Sequence, residues 1–109
     1  MGTFRSVEDI DAWKKARQLT DTVYRLTKSG PFSKDFALRD QVRRACISVM
    51  SNIAEGFERD GAGEFVQFLS IAKGSVGELR SQLYIALDQK YIDTSMFKDL
   101  MGLCIEISK

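Results

Sequence analysis

Residues 41–56, QVRRACISVMSNIAEG, decide the fold of this chain. They read as one uninterrupted helix that is apolar on more than one side. At 3.6 residues per turn, Leu38, Val42, Ala45, Cys46, Val49, Ile53 and Phe57 fall on a single arc. Gln41, Arg44, Ser48, Asn52 and Glu55 occupy an adjacent arc only ~80° wide, and Ile47, Met50 and Ala54 point a third way. A helix on the surface of a globular protein carries one apolar stripe and a Lys/Glu-rich back. This one has little that suits water, so it is expected to pack on several sides.

Working outward, three further helices frame it. Ser6-Val7-Glu8-Asp9 opens the first, with Ser6 as N-cap and acids in the first turn. Its apolar face holds Ala12, Trp13, Ala16, Leu19, Val23, Tyr24 and Leu26, and Ser29-Gly30-Pro31 ends it, Gly as C′ and Pro as the block. Ser33 is expected to cap the second helix. The third, after the Asp60-Gly61-Ala62-Gly63 loop, keeps Phe65, Phe68, Leu69, Ala72, Val76, Leu79, Leu83, Ala86 and Leu87 within an arc of ~100°. The fourth, capped by Asp93, Thr94 or Ser95, is apolar almost all round from Met96 to Ile107. The expected spans are about 7–28, 34–56, 64–90 and 95–109 in one domain covering 1–109, with no credible strand. Short loops between long helices predict an all-α, antiparallel, up-and-down four-helix bundle. The fourth helix is short against the third, which leaves two readings open: a truncated chain, or an end covered by a partner.

Composition narrows the chemistry. There is no histidine, which removes the usual general base, the commonest metal ligand and every Ser/His or Cys/His nucleophile. No catalytic residue, metal site or cofactor is assigned, and the chain is expected not to be an enzyme. Cys46 and Cys104 lie far apart on apolar faces and read as reduced core thiols of a cytoplasmic protein. The glycines at 56, 61 and 63 fit neither a P-loop nor a dinucleotide fingerprint. No signal peptide or membrane-length apolar run is visible, and the N-terminal match to a myristoylation pattern is read as chance. Net charge of +1 means that any polyanion site must be a local patch.

Three features stand out beyond the core. Lys73, Arg80, Tyr84 and Tyr91 share a face of the third helix and interleave cations with rings, the combination that single-stranded nucleic acid uses; the plain alternative is a snorkelling flank. Arg39, Arg43 and Arg59, with Lys14 and Lys15, extend it only if the fold gathers them. Gln41, Arg44, Ser48, Asn52 and Glu55 form either a solvated face or a hydrogen-bonded seam within an assembly. Ser70, Gly74, Gly77 and Ser81 fall within ~60° of one another on the wheel. Because each mid-helix Gly costs about 1 kcal/mol relative to Ala, this line suggests close approach of another helix or subunit; the other readings are small residues that are merely tolerated, and a ligand groove.

The pattern resembles the small four-helix-bundle family encoded in intervening sequences of bacterial 23S ribosomal RNA genes, a relative of which is the accessory protein of diversity-generating retroelements. The resemblance runs along the whole chain. It is strongest in the Trp13 helix, Gln41-Val42-Arg43-Arg44-Ala45, Ser48, Asn52-Ile53-Ala54-Glu55-Gly56, Arg59, Phe68 to Ser75, and Glu78-Leu79. It implies a homopentameric ring or barrel of bundles, no enzymatic activity, no cofactor, and association with RNA or with a reverse transcriptase. Family members usually continue for another helical turn beyond the position of Lys109. A second reading, a scaffold that docks a polymerase or another protein without touching nucleic acid, stays open beside it, favoured by the near-neutral charge.

Overall fold

The computed structural model describes residues 5–59 and 61–109, and all regular structure among them is helical. A single 3₁₀ turn, Val7–Asp9, precedes α1 (Asp11–Leu26), a one-turn α2 (Gly30–Lys34), α3 (Phe36–Glu58), α4 (Ala62–Asp88) and α5 (Thr94–Ile107). The four long helices form a closed ring of neighbours in which α1 touches α3 and α5, and α4 touches α3 and α5.

Cross-helix partners give the directions. Arg43 meets Thr27 while Cys46, further along α3, meets Thr20, earlier in α1. Ser48 pairs with Ser75, and Gly56 abuts Phe68. Tyr84 packs on Phe97, and Arg80 lies beside Cys104. In each pair one number rises as the other falls, so successive long helices run antiparallel.

The core follows from the helical period. Leu19 and Val23 of α1, Val42, Val49 and Ile53 of α3, Val76, Leu79 and Leu83 of α4, and Leu100 and Cys104 of α5 are all at most 2% exposed. They come from the apolar arcs that 3.6-residue spacing produces. Of the predicted α3 arc, Phe57 is only half-buried, and Gly56 takes the inward position instead. Among the third set on α3, Met50 packs against the core, whereas Ile47 is 49% exposed.

Helix ends differ from the sequence reading at three places. The first helix does not run from 7 to 28. Asp9 Oδ2 accepts from the backbone N–H of Arg5 (3.0 Å) and Ser6 (3.3 Å), closing a separate turn. Ile10 is extended (φ −80°, ψ 121°) before α1 begins, and α1 ends at Leu26. Ser33 does not cap α3; its hydroxyl donates to the Gly30 carbonyl at 2.6 Å, inside α2. Asp35 is the cap, accepting from Leu38 N at 3.1 Å, so Pro31 lies within a short helix rather than in a plain linker. Gly30 has φ +70°, a conformation costly for residues with a Cβ.

Asp35 has a second role, because its Oδ2 accepts from the Tyr91 hydroxyl at 2.9 Å, while the Tyr91 ring stacks on buried Phe32 at 5.1 Å. Tyr91 reaches that place through the turn that ends α4. Its N–H donates to Ala86 O and that of Lys90 to Leu87 O, with Lys90 at φ +62°. One carboxylate thus caps α3 and ties down the α4–α5 connection.

Helices α3 and α4 approach closely at Gly56. A Cβ on Gly56 would lie 3.0 Å from Phe68 Cβ and 3.2 Å from Phe65 Cδ1. On the same grounds Gly74 and Gly77 are open, because a Cβ there meets nothing within 4 Å. Gly56→Ala is therefore expected to lower unfolding free energy by about 1 kcal/mol, overpacking outweighing the gain in helix propensity. Gly74→Ala should raise it by about 0.5–1 kcal/mol. Urea denaturation of both variants checks the contrast.

Both thiols are free and buried. Burial pushes Cys46 up to about 12 and Cys104 up to about 11. A raised folded pKa means that only the unfolded thiols ionise once pH passes the ordinary thiol value of 9.0. Their contribution is complete below that pH and is lost above it, at up to about 1.4 kcal/mol per pH unit per thiol. Urea midpoints at pH 8 and pH 10 are expected to fall more for this chain than for a Cys46→Ala/Cys104→Ala variant.

Candidate functional site

Helix α4 carries seven exposed residues singled out from sequence, divided between two of its sides. Its core arc faces α3 and α5. On the flank toward α5 lie Lys73, Arg80 and Tyr84, all exposed. Arg80 is close enough to Cys104 of α5 to lower its pKa against the larger effect of burial. Tyr84, 53% exposed, meets the edge of Phe97 with ring centroids 4.9 Å apart and planes at 64°. Ile105 of α5 is 47% exposed.

No carboxylate stands at the helical positions that face these cations on α4. The i±3 and i±4 neighbours of Lys73 are Leu69, Ser70, Val76 and Gly77, and those of Arg80 are Val76, Gly77, Leu83 and Tyr84. Neither cation is in an ion pair among the described residues, whereas Arg25, Arg39, Arg59, Lys15 and Lys109 all are. The acids are turned elsewhere. Glu64 faces Arg59, just past the end of α3, at 3.9 Å, and Asp99 and Glu106 line the opposite groove of α5 with Gln18 and Thr22 of α1. Glu106 is held below the usual carboxylate range, first by Lys15 and then by Lys109.

The other proposed cations do not join this face. Arg43 lies 4.5 Å over the Tyr24 ring and donates from Nε to Thr27 at 2.8 Å, which fastens α3 to α1. Arg39 lies 4.8 Å over Phe36, pairs with Asp40 and donates to the Ser33 carbonyl at 3.1 Å. Arg59 lies 5.2 Å over Phe68 and pairs with Glu55 at 2.6 Å. Arg39 and Arg59 are separated by 20 residues of one helix, ~30 Å. Tyr91 is removed from the set as well, its ring on Phe32 and its hydroxyl on Asp35, which raises its pKa.

The polar arc of α3 divides. Ser48 and Asn52 are half-buried at the boundary with α4. Ser48 Oγ and Ser75 Oγ are 2.7 Å apart, and Asn52 Nδ2 donates to Ser48 O (2.8 Å) and Ser48 Oγ (3.1 Å). This seam joins two helices of one chain, and sequence reading missed its α4 member, Ser75, because its position lies on the core arc. Gln41, Arg44 and Glu55 are exposed. Ser70, Gly74, Gly77 and Ser81 are also exposed and point away from the bundle, so no helix of the same chain explains them. Beside them Ile71 (51% exposed) and Ile85 (46%) continue an apolar strip. At its end, in the groove with Gln41, the Gln82 Oε1 atom is buried without a donor, a state that costs about 1–3 kcal/mol when nothing supplies one.

The two thiols, raised as described above, make poor nucleophiles. Among the described residues no cluster of acids and thiols has the makings of a metal site, and no helix is long and apolar enough to cross a membrane.

Comparison with known proteins now adds to this geometry. A crystal structure of a protein of unknown function from the S23 ribosomal protein family of Bacteroides thetaiotaomicron VPI-5482 superposes with a TM-score of 0.79 at 20% sequence identity, covering 89% of this chain and 91% of that one. At that identity the likeness concerns the fold. No curated protein matches the sequence. The sequence itself gives the closer assignment: residues 8–109 match the 23S rRNA-intervening sequence proteins, and the chain belongs to that family.

Proposed function

We propose that this chain is a non-enzymatic, self-associating four-helix bundle of the cytoplasm that associates with RNA through the α4/α5 face. The observation that carries the reading is the pair of cations, Lys73 and Arg80, with no carboxylate at the i±3 or i±4 positions and an exposed, braced tyrosine between α4 and α5. Cations without competing acids attract phosphate, and an exposed ring offers a base a stacking surface. Family membership supports the RNA context in general terms, since the family takes its name from sequences within 23S rRNA genes.

Self-association is carried by a different side of α4. Ser70, Gly74, Gly77 and Ser81 leave the helix backbone accessible, with Ile71 and Ile85 beside them. Small residues in line let a second helix approach closely. A homopentamer is the stoichiometry that the resemblance suggests.

A second reading has one observation in its favour. Net charge of +1 gives little long-range attraction for a polyanion, while Ile47, Val66, Ile71 and Ile85 are between 46% and 60% exposed. In that reading the same surfaces dock a protein, such as a reverse transcriptase, without contact to nucleic acid.

Fluorescence anisotropy of a labelled structured RNA, titrated at several salt concentrations, separates the two. The RNA reading expects binding that weakens steeply with salt, and Lys73→Glu/Arg80→Glu should flatten the log–log salt slope by about 2. No binding at low salt leaves the docking reading. For assembly, light scattering of the unaltered chain should give a mass several times 12.3 kDa. Gly74→Leu is expected to shift it toward the monomer while leaving the helical circular dichroism unchanged.

A further inference from the structure

Residues of all four long helices meet at the end of the bundle where α5 finishes. There Ile53 of α3, Phe65 and Leu69 of α4 and Ile107 of α5 wall a cavity of about 260 Å³, and among the described residues Lys73 and Lys109 are the charged ones lining it. We propose that this cavity binds a medium-chain aliphatic carboxylate, tail inside and headgroup against Lys73. The inference uses the same Lys73 as the nucleic-acid reading but does not require that the chain bind RNA.

Three features select that chemistry. Apolar walls favour an alkyl tail over a polar ligand, because an apolar cavity stays dry and takes up apolar molecules. The volume sets the length: at ~30 Å³ for each water-sized group, it accepts roughly eight to ten carbons. The rim sets the charge. Lys109 is shared with Glu106 at 3.4 Å, whereas Lys73 has no ion-pair partner among the described residues. Nearby, Ile10 is the N-cap of the 16-residue α1 and offers its first turn no side-chain acceptor. The positive end of that helix adds to the field that an anion meets. A cationic amphiphile of the same length would meet like charge.

Trp13, the chain's one tryptophan and a residue of the first turn of α1, gives a built-in reporter. The full chain is titrated with decanoate, decan-1-ol and decyltrimethylammonium, each below its micelle concentration, by tryptophan fluorescence and calorimetry. The proposal expects saturable one-to-one binding of decanoate, about fivefold weaker binding of the alcohol, and weaker binding still of the ammonium compound. Lys73→Glu, a surface change, should weaken decanoate at least as much while sparing decanol. Leu69→Trp, which fills the cavity, should abolish both in a variant that still melts cooperatively. Should Leu69→Trp fail to fold, Lys73→Glu decides. Absence of saturable decanoate binding overturns the proposal, as does equal affinity for the ammonium compound or a Lys73→Glu variant that binds decanoate unchanged.

Discussion

The approach of α3 to α4 at Gly56 governs the arrangement of the rest. With Phe68 Cβ only 3.0 Å from where a Gly56 Cβ would be, the two longest helices are pinned at one end. The hydrogen-bonded Ser48–Ser75–Asn52 group fixes their register near the middle. A slide by one turn would separate both contacts at once. Once this pair is set, the apolar arcs of α3 and α4 form a trough that α1 and α5 fill, and the flank carrying Lys73, Arg80 and Tyr84 is left facing outward beside α5.

Aromatic rings organise the arginines. Arg39, Arg43 and Arg59 each lie over a ring, of Phe36, Tyr24 and Phe68 respectively. A guanidinium stacks well because it is planar and weakly hydrated. Lys73 and Arg80 have no such partner. The fold thus sorts the cations on α3 and α4 into those that fasten helices together and those left with an unbalanced field. That sorting, more than total charge, is what the proposal of an anionic partner rests on.

Much of the fold was legible because burial follows the 3.6-residue period. The inward residues of α3 and α4 could be read off a wheel, as could the common flank of Lys73, Arg80 and Tyr84. What escaped depended on neighbours distant in sequence. Ser33 and Asp35 are both good caps two positions apart, and the choice is made by Tyr91, whose hydroxyl binds Asp35 from 56 residues away. The break at Ile10 was hidden because the apolar spacing continues across it. Nothing in the local sequence near Arg43 or Arg59 says that a ring will occupy the guanidinium; only Arg39, with Phe36 three residues before it, has its ring close in sequence. For Lys73 and Arg80, by contrast, the absence of acids one turn away is written in the sequence, and it carries more weight than the cations alone.

The ring of neighbouring helices bears on how the chain folds. Every contact between long helices joins consecutive ones except that of α1 with α5, which the Lys15–Glu106 pair spans across 91 residues. The α3–α4 hairpin closes a loop of only a few residues and carries the most extensive interface. Local contacts form at small loop-closure cost and long-range ones at greater cost. The hairpin is therefore the natural nucleus, with α1 and α5 docking onto it. The α1–α5 seam is the last closure made and the first to open, so the molecule can loosen along that side while the α3–α4 pair holds.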